Sequence, residues 1–129
     1  MKLQNATQLS QGVVHGRWYE DACAAAFAME LLGERWSLLI VRDLIVHGTR
    51  TYSEFREAPE HVATNILAAR LRLLASLGII ERTNPDGAAR NNAYRLTSSG
   101  AALRPVLEEL GKWAQTYLKQ YRSDMVNSV

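Results

Sequence analysis

Asn65 and Arg72 stand two helical turns apart in a stretch whose leucines fall at 67, 71, 74 and 77. With those leucines turned inward, the opposite side carries Thr64, Asn65, Ala68, Ala69 and Arg72. An Asn carboxamide pairs bidentately with an adenine edge and an Arg guanidinium with a guanine edge, while small residues let a helix backbone approach a groove and touch thymine methyls. A helix that enters the major groove does so with its N-terminal residues against the bases, and that is where this polar cluster is densest. The same pattern also describes a solvated helix rich in small residues; of the two, the groove-reading helix is favoured. Arg70 falls between the two faces and suits a phosphate or an internal acid equally.

Two further groups point the same way. Arg90 and Asn91 follow the turn sequence Asn84-Pro85-Asp86-Gly87, and an Arg on a hairpin tip can enter a minor groove. Thr51 and Ser53 open a short helix whose hydroxyls and amides suit a phosphate, with simple helix capping as the alternative. Arg82 and Arg95 lie within the strands on either side of the turn and are expected to brace it. Other chemistry has no footing. His15, His47 and His61 lack metal-ligand spacing, no glycine-rich phosphate loop occurs, and the single cysteine, Cys23, has no evident base partner. No cofactor, metal site or catalytic group is expected.

Several elements must position these residues. Residues 21–32 place Ala24, Phe27, Ala28, Leu31 and Leu32 at helical spacing, with Asp21 as a cap and Gly33 as a stop. Residues 35–47 form a second helix with Trp36, Leu39, Ile40 and Leu44 on one face. Thr51-Tyr52-Ser53-Glu54 reads as a capping box for a short helix holding Phe55 and ended by Pro59. Thr64 then caps a helix over 65–77, closed by Gly78. The period changes at Ile79–Thr83 and Asn92–Leu96, which read as two strands of a hairpin. Thr97 caps a long last helix with the apolar stripe Leu103, Val106, Leu107, Leu110, Trp113, Ala114, Tyr117, Leu118 and Tyr121, kinked at Pro105.

The fold class that follows is mainly α with a small β-hairpin, a winged helix-turn-helix. With 129 residues the chain suits one domain: a flexible arm over 1–19, a working domain over 20–123 and a tail over 124–129. No apolar run approaches the length of a membrane span, no export signal follows Met1-Lys2, and one cysteine excludes an internal disulfide framework, so a cytoplasmic location and no membrane partner are expected. The net charge is only +2, but residues 62–96 carry five Arg against two acids. That excess suits phosphate contact, although charge alone fits a solvated face as well. The last helix is apolar over too wide an arc for a lone surface helix, and the first helix lies at the other end of the domain. They either complete the monomer core or build a homodimer through Phe27, Leu31, Leu103, Leu107, Leu110, Trp113, Tyr117 and Tyr121. Twofold symmetry would then set two reading helices about 34 Å apart, one turn of DNA.

With those residues placed, the chain resembles the HxlR family of winged-helix regulators, relatives of the MarR type. The resemblance runs from Cys23, with Trp36 thirteen residues on in GERWSLLIVRDL, through TYSEF and LAARLRLLASLGIIER to YRLTSSGAALRPVLEELGKW. It implies cytoplasmic dimers that bind operator DNA and regulate transcription, with a small-molecule inducer of unidentified chemistry. It also makes Cys23 a candidate redox or electrophile-sensing thiol. Against that, Glu20 and Asp21 oppose a thiolate and the surrounding alanines suit burial, so structural burial is the favoured reading. A winged-helix interaction module without DNA affinity is the remaining alternative. Two positions depart from the family pattern: Ala24 replaces the usual Pro after the cysteine, and Thr51 replaces an Arg, whose backbone contact Arg50 is placed to take over.

Overall fold

The computed structural model, described over residues 17–57, 63–88 and 92–121, contains helices and a small antiparallel sheet. The order is α1 (Arg17–Leu32), α2 (Arg35–His47), β1 (Thr49–Thr51), α3 (Tyr52–Arg56), α4 (Thr64–Ser76), β2 (Ile80–Arg82), β3 (Ala93–Leu96), α5 (Ser98–Ala101), α6 (Arg104–Tyr117) and a 3-10 turn, Lys119–Tyr121. The chain forms two compact units, one ending at Leu38 and the next beginning at Leu39.

In the first unit, α1 starts earlier than its apolar spacing implies. It takes in Trp18 and Tyr19, so Asp21 lies inside the helix rather than capping it. Its large apolar side chains remain open to solvent: Trp18, Phe27 and Met29 are all exposed, and Leu31 is half-buried. Phe27 sits on the side opposite Trp18 and Met29, so this alanine-rich helix exposes large apolar side chains on two sides, with Glu20, Asp21 and Glu30 also at its surface. Gly33 ends it, its amide bonded to the Met29 carbonyl at 2.8 Å. Glu34 then restarts the chain as α2 by accepting from the amides of Trp36 (3.0 Å) and Ser37 (2.6 Å).

The second unit holds the core. Ile40, Val41 and Leu44 of α2, Phe55 of α3, Leu67, Leu71 and Leu74 of α4, and Ile79 and Ile80 leading into β2 are buried. On α2 the buried line runs through Ser37, Ile40, Val41 and Leu44, rotated from the expected one, and leaves Trp36 and Leu39 half-buried. Asp43 is also buried. One of its oxygens accepts from Arg42 at 2.8 Å and the other from Arg50 at 3.1 Å, and the Arg50 guanidinium lies 6.0 Å from the Phe55 ring centroid. Arg50, its side chain 18% exposed, is thereby tied to the buried Asp43.

The sheet has three strands among the described residues, in the order β1-β3-β2. Two were expected; β1 is only three residues long and lacks a period to betray it. It pairs Thr49 with Arg95 and Thr51 with Ala93, while β2 pairs Glu81 with Arg95. Gly48 and Gly78, at φ +83° and +72°, make the left-handed turns that end α2 and α4.

The last segment departs most from expectation. Thr97 does cap a helix, accepting from the Gly100 amide at 3.2 Å, but that helix ends at Ala101. Gly100 explains the tight seat: a Cβ there would lie 2.1 Å from the Ile79 carbonyl oxygen. The chain restarts as α6 at Arg104, with Pro105 in the first turn. A proline there loses no helical hydrogen bond, so it starts a helix instead of kinking one.

Candidate nucleic-acid interface

The geometry of α3 follows from its capping box. The Thr51 hydroxyl accepts from the Glu54 amide at 3.2 Å and the Thr51 amide donates to the Glu54 carboxylate at 2.9 Å. The Thr51 amide foremost, and the Thr51 side chain after it, lower the Glu54 carboxyl from its ordinary value by hydrogen-bonding its charged form. Thr51 is thus engaged as a cap, while the Ser53 hydroxyl stays exposed. Phe55 anchors α3 in the core, and the Tyr52 phenol donates to the Thr64 carbonyl at the start of α4, 3.2 Å away.

On α4, Leu67, Leu71 and Leu74 face inward as their spacing predicts. Leu77 does not. It is the C-cap, 37% exposed, because the helix ends one residue earlier and the turn at Gly78 lifts it away. On the other side Thr64, Asn65 and Arg72 are exposed, with Ala68 and Ala69 half-buried between them; Arg70 is half-buried at the flank. Thr64 is the first residue of the helix rather than its cap. Ala63 takes the cap position and offers no side-chain bond.

The hairpin between β2 and β3 is held from within. Its turn closes through the Gly87 amide on the Asn84 carbonyl at 3.0 Å. Asn92, 2% exposed, accepts from the Asn84 amide at 2.8 Å and donates to the Ala88 carbonyl at 3.1 Å. In the sequence Asn92 only opens the second strand; its burial depends on the hairpin's return path, which no local pattern discloses. Arg82 donates to the Pro85 carbonyl at 3.1 Å and Arg95 pairs with Glu81 at 3.0 Å, the bracing expected of both. Arg90 and Asn91 lie outside the described residues.

Away from this surface, α6 contains no buried residue. Leu110, Trp113 and Tyr117 are more than half exposed, as is Tyr121 just beyond; Leu103 and Leu107 are half-buried. Trp113 and Tyr117 stack on each other with centroids 5.8 Å apart. Cys23, on α1, is half-buried, not enclosed as expected. Of the three histidines only His47 is described. Among the described residues no group of His, Cys, Asp or Glu is placed to hold a metal ion, and no helix is long and apolar enough to cross a membrane.

A short helix and a longer one joined by a turn, with a three-stranded wing behind them, define a winged helix-turn-helix protein. The chain belongs to the HxlR-like helix-turn-helix family, whose model matches residues 31–122. It is 33% identical over 91 residues to the HTH-type transcriptional regulator YvaP of Bacillus subtilis, covering 70% of this chain and 83% of that one. It is 34% identical to the regulator MT3179 of Mycobacterium tuberculosis, of which it spans only 56%. The reduced form of the transcriptional regulator YodB from B. subtilis superposes with a TM-score of 0.63 at 32% identity, covering 74% of this chain and 92% of that one. A MarR-family regulator from Enterococcus faecalis shares the fold, with a TM-score of 0.66 at 22% identity. The protein is therefore a transcriptional regulator, not an enzyme.

Proposed function

We propose that this chain is a cytoplasmic homodimer that reads double-stranded operator DNA, with the helix over 64–77 in the major groove and the wing over 84–91 near the minor groove. The observation that carries the reading is the outward face of α4. Asn65 and Arg72 stand exposed two turns apart, opposite leucines that fix the helix's roll. Ala68 and Ala69 between them keep that face low enough to seat in a groove. Thr64 and Ser53 lie at the same edge and suit phosphates, with Thr51 setting the start of α3; Arg90 and Asn91 supply the wing's contacts. The dimer rests on apolar side chains that are exposed or half-buried in the single chain: Phe27 and Leu31 on α1, and Leu103, Leu107, Leu110, Trp113, Tyr117 and Tyr121 on and around α6.

Selection of binding sites from random duplex DNA by the purified protein tests this directly. A defined site, bound with marked salt dependence, is expected. Arg72→Ala should then relax preference at one position and cost about 1–3 kcal/mol there. If every duplex is ignored at low salt while the dimer persists, the chain is an interaction module instead.

A second reading concerns Cys23. Cys23 is half-buried on α1 rather than sealed in the core. YodB, 32% identical to this chain, has been solved in a quinone-bound form. In this reading, modification of Cys23 sets operator affinity and an electrophile or oxidant is the inducer. Alkylation of the wild type should then change affinity for the selected site, and Cys23→Ser should abolish that response. An alkylated protein that binds as before ends the reading.

A further inference from the structure

We propose that Tyr52 is a positioning residue for DNA reading: its phenol, presented from the start of α3, fixes the first turn of α4 and thereby the aim of Asn65. The proposal deepens the regulator reading above and rests on it. The phenol donates to the Thr64 carbonyl at 3.2 Å across twelve residues of sequence. Thr64 is the first residue of α4 and the immediate neighbour of Asn65.

That start has no side-chain cap of its own. α3 and α5 are each opened by a threonine whose hydroxyl accepts from an amide of the first turn, whereas Ala63 ahead of α4 has nothing to offer. A helix end without such a partner frays more readily. Tyr52 supplies a fixed point from outside the helix. It is itself the first residue of α3, inside the Thr51–Glu54 capping box and three residues before the buried Phe55. The phenol is therefore held from a rigid base rather than from a loop. Because the bond lies at the surface, water competes with it in the free protein. A duplex packed against this edge would exclude that water and strengthen the bond.

The test is Tyr52→Phe in the full chain, which keeps the ring and removes only the oxygen. Affinity for the selected duplex should fall about threefold to tenfold, the range a single net hydrogen bond supports. Affinity for a scrambled duplex, and its salt dependence, should stay unchanged, so that discrimination shrinks. A merely structural role would lower both affinities together and overturn the proposal, as would unchanged discrimination. Amide hydrogen exchange without DNA gives an independent readout. The amides of Leu67 and Ala68, which close the first turn of α4, should exchange at least about threefold faster in the variant while that of Leu74 stays as it was. Should the wild type ignore all duplexes, the regulator reading fails on its own account. Exchange then decides: a selective rise in the first turn keeps Tyr52 as the fixed point of α4, and no rise overturns it.

Discussion

Leu110→Lys is expected to yield a folded single chain that binds its operator about a hundredfold to ten-thousandfold more weakly than the parent. Leu110 is 55% exposed and no residue of α6 is buried, so the substitution removes nothing from the core of the isolated chain. In the proposed dimer, what it removes is self-association. A lysine at the centre of an apolar patch shared by two copies must either lose its hydration or hold them apart. Two linked reading helices bind with the second already at high effective concentration, and a monomer forfeits that advantage. The choice of lysine sharpens the result, because an added positive charge by itself favours DNA. Mass by light scattering and affinity by fluorescence anisotropy read the two halves of the expectation. A variant that stays dimeric with parental affinity would remove α6 from the interface.

The second large effect is on stability. Asp43→Ala should cost about 3–5 kcal/mol, as expected when one partner of a buried ion pair is removed and the other stranded. Asp43 is 8% exposed and its carboxylate is shared by Arg42 and Arg50. Arg42 is partly open and can turn to water, but the Arg50 side chain, only 18% exposed, would be left charged against Phe55. For a domain whose whole stability is on the order of 5–15 kcal/mol, that loss shifts urea unfolding to a much lower midpoint. Adding Arg50→Met should recover most of it, because the stranded charge goes too. A single variant that loses less than about 1 kcal/mol would show that β1 needs no such clamp.

Much of this architecture could be read in the chain before it was seen folded, and the reasons are local. The leucines at 67, 71 and 74 and the Thr51–Glu54 box are short-range signals, dictated by helical pitch and by unsatisfied amides, and both stand where they were expected. The outward residues of α4 follow from the inward ones. What could not be read depends on contacts distant in sequence. β1 exists because β3 returns beside it. Asn92 is buried because the hairpin folds over it, and Gly100 is required because the Ile79 carbonyl lies against it. The ion pair of Asp43 with Arg50 crosses the turn at Gly48, and nothing in either residue's neighbourhood announces the other. At Pro105 the sequence did carry the answer: a proline two positions into a helix marks a beginning, and the continuous apolar stripe concealed the break.

The order of the strands has one last implication. With β3 in the middle, its hydrogen-bonding groups are spoken for on both sides, and among the described residues only β1 and β2 present open backbone edges, each three residues long. So short a margin, with Glu81 and Arg82 charged along one of them, is a poor template for a strand from another molecule. In the dimer proposed above, copies would meet by greasy rods rather than by ribbons, a mode that avoids the open-ended stacking through which β-rich proteins form fibres.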